Sequence, residues 1–328
     1  MLMALTAIAA LGMAPPVRAG GGSFYATVTN VTQLIADINY ADTSGGTFMI
    51  NLQPNTNFVG GLPVIGGTKT VNLTIIGNGD TIDGANQSRL FVVNPGSSLT
   101  LDQVTLQNGY IYAYNGGAIY NSGTLVISNC TFSGNLSYFD GYDSYHLGGK
   151  GGAIYNNGGT VIISDSFLSG NNAWGNEDQC EGGAICNDSG TVKISNSTIS
   201  GNGAYGDGGG IYNNGTVTVE NSSSITGNGA ADVYNLGTLY LDGTSTIGVL
   251  DGYSAIGVSP VLSINSWSST AHQLVLSWST NYTGFTLQSS TDPGSTNWTD
   301  GASPTVSGAS FVVTNSMSAG AQFFRLKR

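Results

Sequence analysis

The chain has 328 residues, only 8% of them charged, with 8 Lys and Arg against 19 Asp and Glu and a formal net charge of −11. A chain this acidic and this poor in cations offers no basic patch to a nucleic acid. Its 50 glycines follow no G-X-Y period, which excludes collagen, and the Ile, Val and Leu between them exclude disorder.

Met1 to Ala14 is a short apolar run, followed by Pro15-Pro16 and Val17-Arg18-Ala19. Its A-x-A-like end predicts a secretory signal over residues 1–19, cleaved near Ala19, although no Lys or Arg precedes the run. No other stretch approaches the length of a membrane span. Residues 20–60 read as an end cap. Val31, Leu34, Ile35 and Ile38 recur at i, i+3, i+4, i+7, which predicts an amphipathic helix. Asn30 is placed to cap it, with Gln33 completing a capping box. Thr47–Leu52 then reads as a strand.

Residues 61–256 are repetitive. From Leu62 to Asn108 the rhythm is LTIIGNG, TIDG, RLFVVN, LTLDQVTLQNG. Asp80 and Asp83 fall at corners there. Ca2+ at those two is weighed against solvated turns, and the turns are preferred because no GGxGxDxxx repeat recurs. No cofactor is therefore expected. From Gly116 a sharper unit appears: GGAIYN…TLVIS…TFSGN, then GGAIYN…TVIIS…FLSGN, GGAICN…TVKIS…TISGN, GGIYN…TVTVE…SITGN and a degenerate copy from Asp232 to Ile247. Self-similarity at this period marks a solenoid. Each copy holds three short β-type runs between Asn, Gly and Ser corners. Such a coil cannot bury its own inward face and must stack on the next, rung on rung, about 4.8 Å apart. Ile119, Ile154, Ile185, Ile211 and Val233 are expected to form one inward column, Val126, Ile162, Val192 and Val217 a second, and Phe132, Leu168, Ile199 and Ile225 a third. Asn121, Asn156, Asn187, Asn213 and Asn235 share one corner and are placed to form an amide ladder. The fold class predicted is all-β: a right-handed single-stranded parallel β-helix with an N-terminal helical cap, followed by a small β-sandwich.

The GGAI…(F/I)xxN spacing, from Thr68 to Ile247, resembles the repeat of polymorphic outer-membrane proteins and autotransporter-type β-helix passengers. That resemblance implies the fold and a place at the cell surface, and it names no chemistry, because such helices serve as adhesins, lyases and stalks alike.

The interval between copies shrinks along the chain, and every insertion falls between SGN and the next GGAI. One edge of the helix is therefore expected to carry a wall of loops, where binding residues usually sit. The first insertion carries Tyr138, Asp140, Tyr142, Asp143, Tyr145, His146 and Lys150; the second carries Trp174, Glu177, Asp178 and Glu181; the third carries Tyr205 and Asp207. Tyr110, Tyr112 and Tyr114 alternate just before the first full repeat. Alternation also turns Tyr120, Tyr155, Tyr212 and Tyr234 outward, with Cys186 on the missing rung. Two readings stand for that column: a carbohydrate-binding trough, or rings that stack on one another and cover the sheet. The ligand-binding candidates are Tyr120, Tyr155, Tyr212, Tyr234, Trp174, Tyr142 and Tyr145.

Hydrolysis of a glycosidic bond needs paired carboxylates. A lyase here would need Lys150 as base beside Asp140, Asp143, Glu177 or Glu181, with Arg89 far from the wall. These are residue types without a motif, so catalysis is not expected. Cys180 and Cys186 lie close enough in sequence for one loop to join them, or stay unpaired.

Residues 257–328 change character. The strand-like runs VLSINSW, QLVLSW, GFTLQSS and FVVTN, with Trp278 and Phe285 as core, resemble a small fibronectin type III-like module of bacterial secreted proteins. A last strand after FFRLKR is missing from that pattern, and Arg325, Lys327 and Arg328 read as a solvated tail. His272 reads as a surface residue. The functional expectation is an exported, monomeric adhesion or glycan-binding protein whose partner is an extracellular polysaccharide or envelope component. A polysaccharide lyase or hydrolase and a passive spacer are the alternatives.

Overall fold

Each coil begins as an extended run that alternates buried and open side chains and can satisfy its backbone only by pairing with the same run one coil away. The computed structural model describes residues 23–54, 57–140, 149–175, 180–257, 262–268, 272–279, 285–292, 294, 296–308, 310–316 and 322–327. The expectations for residues 1–19, Tyr142, Asp143, Tyr145, His146, Glu177 and Asp178 fall outside them. Three parallel sheets wrap around one core, so residues 23–257 form a parallel β-helix. The first sheet has 15 strands and takes two runs from each coil, such as Ile119–Asn121 and Thr124–Ser128. In the next two coils these fuse into single bent strands, Ile154–Ser164 and Ile185–Ser195. The second sheet has 8 strands, among them Thr131–Ser133 and Phe167–Ser169.

The third sheet corrects the reading of the insertions as loops. Tyr110–Tyr112, Leu136–Phe139, Asn172–Gly175 and Gly203–Ala204 pair in parallel as four successive rungs. The chain leaves the SGN corner still extended, burying Ser137, Phe139, Ala173 and Gly175 while their neighbours face out. Each long insertion therefore starts as a further strand.

Register confirms two of the three inward columns. Ile119, Ile154, Ile185, Ile211 and Val233 lie on one another, as do Phe132, Leu168, Ile199 and Ile225, all fully buried. The remaining column was slipped by one residue in its first two members. Leu125, Val161, Val192, Val217 and Leu239 point inward, and Val126 and Ile162 share an outward row with Lys193 and Thr218. Runs such as TLVIS and TVIIS are apolar on both faces, so alternation alone cannot phase them; the Lys of TVKIS can.

The corners are tied by side-chain ladders. Asn121, Asn156, Asn187, Asn213 and Asn235 pass amide hydrogen bonds from rung to rung at 2.7–2.8 Å, all buried. A second ladder, not foreseen, runs through the Asn of each SGN corner. Asn135, Asn171, Asn202 and Asn228 donate in turn at 2.8–2.9 Å, and Asp232 accepts at its end. These amides satisfy backbone carbonyls that tight corners leave open.

The helix, Val31–Ser44, starts at Asn30, whose Oδ1 accepts the Gln33 N–H at 3.0 Å. Gln33 Oε1 reaches back to the Thr29 N–H at 2.7 Å, one residue beyond a standard capping box. Leu34, Ile38 and Ala41 are buried against the core, with Ile35 and Val31 only partly covered. Burying each large side chain contributes about 1.5–3 kcal/mol. The strand Ser23–Val28, unforeseen, pairs with Gly46–Leu52 as the first rung, so the cap is itself part of the stack.

Beyond residue 261 the strands turn antiparallel and form two small sheets over Leu274, Leu276, Trp278, Leu287 and Val313. Trp278 is core as expected, whereas Phe285 is half-buried. FFRLK is itself a strand, Phe323–Lys327, pairing with Thr286–Ser290, and Arg325 stacks 4.2 Å from the Trp298 ring centroid, so this stretch is not a loose tail. His272 is exposed.

Candidate functional site

Two columns of aromatic side chains run along the helix, and they differ in access. On the first sheet, Tyr120 and Tyr155 meet at 5.3 Å between ring centroids, Cys186 leaves a gap, and Tyr212 and Tyr234 stack at 5.7 Å and 11°. The gap is filled from the side. Lys150 reaches across with its Nζ 5.7 Å from the Tyr212 centroid and pairs with Glu181 Oε2 at 2.7 Å. Tyr155 hydrogen-bonds Asp188. Arg89 is not remote from this face. It stacks 5.5 Å from the Tyr120 centroid and donates to the carbonyls of Asn115 and Gly116. Tyr155, Cys186 and Tyr212 are consequently buried, and the column covers its sheet rather than lying open as a trough. Cys186 is a free thiol, so it makes no bond to Cys180.

The electrostatics of this cluster follow from its carboxylates. Burial works against the charge on Lys150, but its contact with Glu181 outweighs that and raises its pKa. Glu181 is raised as well, by burial first and then by Asp207 and Asp188 against the pull of Lys150. An isolated ion pair would shift its two members apart. Both rise here because burial, helped by Asp207 and Asp188, outweighs the pull of Lys150 on Glu181, while Glu181 outweighs burial at Lys150. Burial pushes Tyr212 up to about 12 from an ordinary 10.0, and it raises Tyr155 and the Cys186 thiol further.

Groups whose pKa is higher folded than unfolded keep protons that the unfolded chain gives up. For Tyr212 that stabilisation is complete below pH 10.0 and is lost as the pH climbs through about 12. The denaturant midpoint is therefore expected to fall across that window, and Tyr155→Phe to flatten the fall. A midpoint independent of pH there would contradict the assignment.

The second column stands on the third sheet. Tyr112 lies beside Tyr138 in register, and Tyr138 beside Trp174; Tyr205 follows on the next rung, its N–H bonded to the Ala173 carbonyl. The Tyr112 and Tyr138 rings are 6.2 Å apart and tilted by 32°, and Trp174 meets Tyr205 edge to face at 5.9 Å. An edge-to-face contact leaves both faces of one ring open. Tyr112, Trp174 and Tyr205 are 48–50% exposed. Asp140 accepts the Tyr112 hydroxyl proton at 2.8 Å, which raises the pKa of that phenol. Of the ligand-binding residues named from sequence, Trp174 alone lies on this face among the described ones. Tyr138 and Tyr205 were legible only as insertion residues, and Tyr112 only as part of the alternation before the first full repeat, because their alignment requires the third sheet.

Asp140 and the Lys150–Glu181 pair thus engage different columns. Among the described residues no group of three His, Cys, Asp or Glu is placed to hold a metal. Asp83, weighed above for Ca2+, accepts instead from Gln107, Asn108 and the Ala85 N–H.

The model of the right-handed β-helix region matches residues 61–246, more than half of the chain. The chain belongs to the right-handed β-helix family. In this β-helix protein the matched coils include every residue of both aromatic columns, and the helix cap and the C-terminal sheets lie outside them. No curated protein and no solved structure gives a significant match. No helix among the described residues is long and apolar enough to cross a membrane. Membership in the β-helix family is compatible with adhesion or polysaccharide-related roles and selects neither.

Proposed function

We propose that the protein is an exported, non-catalytic binder of extracellular glycan, and that the third-sheet column Tyr112–Tyr138–Trp174–Tyr205 is its contact surface. The observation that carries this reading is four aromatic rings on consecutive rungs, three of them about half exposed on a rigid sheet. Sugar rings pack their C–H faces on aromatic faces, and a carboxylate such as Asp140 accepts hydroxyl protons at the edge. The scaffold holds the rings in place before a ligand arrives, so little ordering entropy is lost on binding. Export rests on the apolar leader at residues 1–19.

The lyase reading draws less support. Its base would be Lys150, which is ion-paired with Glu181 at 2.7 Å and kept protonated by that contact. A general base must be free to take a proton near neutral pH.

Affinity electrophoresis through gels containing a panel of extracellular polysaccharides tests the proposal. The wild type is expected to be retarded by at least one of them, and Trp174→Ala to weaken retention about tenfold or more with an unchanged melting curve. Retention that survives Trp174→Ala and Tyr205→Ala would place the site elsewhere. Release of unsaturated or reducing ends would make the protein an enzyme, and no retention by any polymer would leave the spacer.

A further inference from the structure

We infer that the glycan held on the third sheet is an uncharged polysaccharide, running along the helix axis, rather than a uronate or sulfated polymer. This rests on the reading of that column as the binding surface. Recognition of carboxylate or sulfate groups on a polymer relies on Arg or Lys with donors to spare. Residues 61–256 contain four such side chains: Lys69, Arg89, Lys150 and Lys193. Arg89 is spent on the Asn115 and Gly116 carbonyls and the Tyr120 ring. Lys150 is paired with Glu181, and Lys193 with Glu220 at 3.0 Å on the outward row of the first sheet. Lys69 reaches back to the Ser44 carbonyl at 3.4 Å, at the end of the helical cap. None of the four stands in a strand of the third sheet, where, among the described residues, the carboxylate of Asp140 accepts the Tyr112 hydroxyl proton.

The chain as a whole adds to this with its net charge of −11, which repels a polyanion at long range. What the described surface offers is ring faces and the carboxylate of Asp140, a pairing that suits neutral sugars. Its direction follows from register. Tyr112, Tyr138, Trp174 and Tyr205 lie on successive rungs, so the aromatic track runs along the axis for about 14 Å at about 4.8 Å per step. A linear chain following that track meets a ring at each step, whereas one crossing it meets a single ring.

The test is retention of the full chain by a neutral β-glucan and a neutral xylan, set against polygalacturonate and a sulfated glycan, at low and high NaCl. At least one neutral polymer is expected to retain the protein equally at both salt concentrations. Half-retention by the polyanions is expected to need about tenfold more polymer or beyond, because like charges face each other. Tighter retention by a polyanion that weakens with salt and disappears in Trp174→Ala would overturn the inference while leaving the aromatic site standing. No retention by any polymer would remove the site and the inference together.

Discussion

Replacing Asn187 with aspartate is expected to destabilise the β-helix by about 3 kcal/mol or more at neutral pH. Asn187 is fully buried and sits mid-ladder. Its Oδ1 accepts from Asn156 at 2.8 Å, and its Nδ2 donates to Asn213 Oδ1 at 2.8 Å and the Thr216 carbonyl at 3.3 Å. Aspartate keeps the first contact and turns the other two into oxygens facing oxygens. A buried carboxylate in that position holds its proton, so stability is expected to return partly as the pH is lowered. Asn187→Leu removes the charge problem but leaves the Thr216 carbonyl short of a donor, for a loss of about 2 kcal/mol. Asn235 ends the ladder: the next strand, Leu250–Gly252, brings Gly252 opposite it, and Asn235 donates to the Tyr253 carbonyl instead of a further amide, so Asn235→Leu is expected to cost less than Asn187→Leu. Denaturant midpoints of the three variants check this order. Equal shifts for Asn187 and Asn235 would mean that coupling along the ladder contributes nothing.

Gly152→Ala is expected to be at least as damaging, about 3 kcal/mol or more. A Cβ at Gly152 would lie 2.2 Å from the Gly183 carbonyl oxygen on the next rung and 2.5 Å from the Asn172 backbone. Neither neighbour is a flexible side chain, so the coils must separate. Gly117 and Gly183 meet the following rung at the same 2.2 Å, which explains why GGAI needs its second glycine. The first glycine of the motif has another reason: Gly151 sits at φ +66, in the left-handed region. Gly201 supplies the control. It shares a positive φ of +68 but has nothing within 4 Å of its Cβ position, so Gly201→Ala is expected to cost only about 1–2 kcal/mol. Thermal melts of the two alanine variants compare them directly, and equal losses would show that the close approach of the rungs at Gly152 does not dictate the second glycine of the motif.

The sequence states the architecture because the same constraint recurs in every coil. Ile119 and its successors, the Asn121 ladder and the SGN corners are each printed several times, so a periodic reading finds them. It fails where a run is apolar on both faces, as at Val126 and Ile162, which need Lys193 to set their phase. It fails again at the third sheet, where LSYF and NAWG share no letters yet pair rung to rung. There the pairing is carried by backbone, and the buried alternates Ser137 and Phe139 stack on Ala173 and Gly175, unlike in size, so the sequence shows no repeat to follow. The candidate site suffered most from this. Tyr120, Tyr155, Tyr212 and Tyr234 stand out because they repeat, and they are the column that Lys150 and Arg89 cover. Tyr112, Tyr138, Trp174 and Tyr205 do not repeat in the text of the sequence, and only register gathers them.

The central claim is that Trp174, on the third sheet, touches the ligand. Tryptophan emission of wild type and of Trp174→Phe, each titrated with a soluble neutral polysaccharide that retains the protein, reads this out against the background of Trp267, Trp278 and Trp298. A saturable emission change in the wild type that vanishes in Trp174→Phe is the predicted result. The same change in both proteins would show that the sugar binds away from this column.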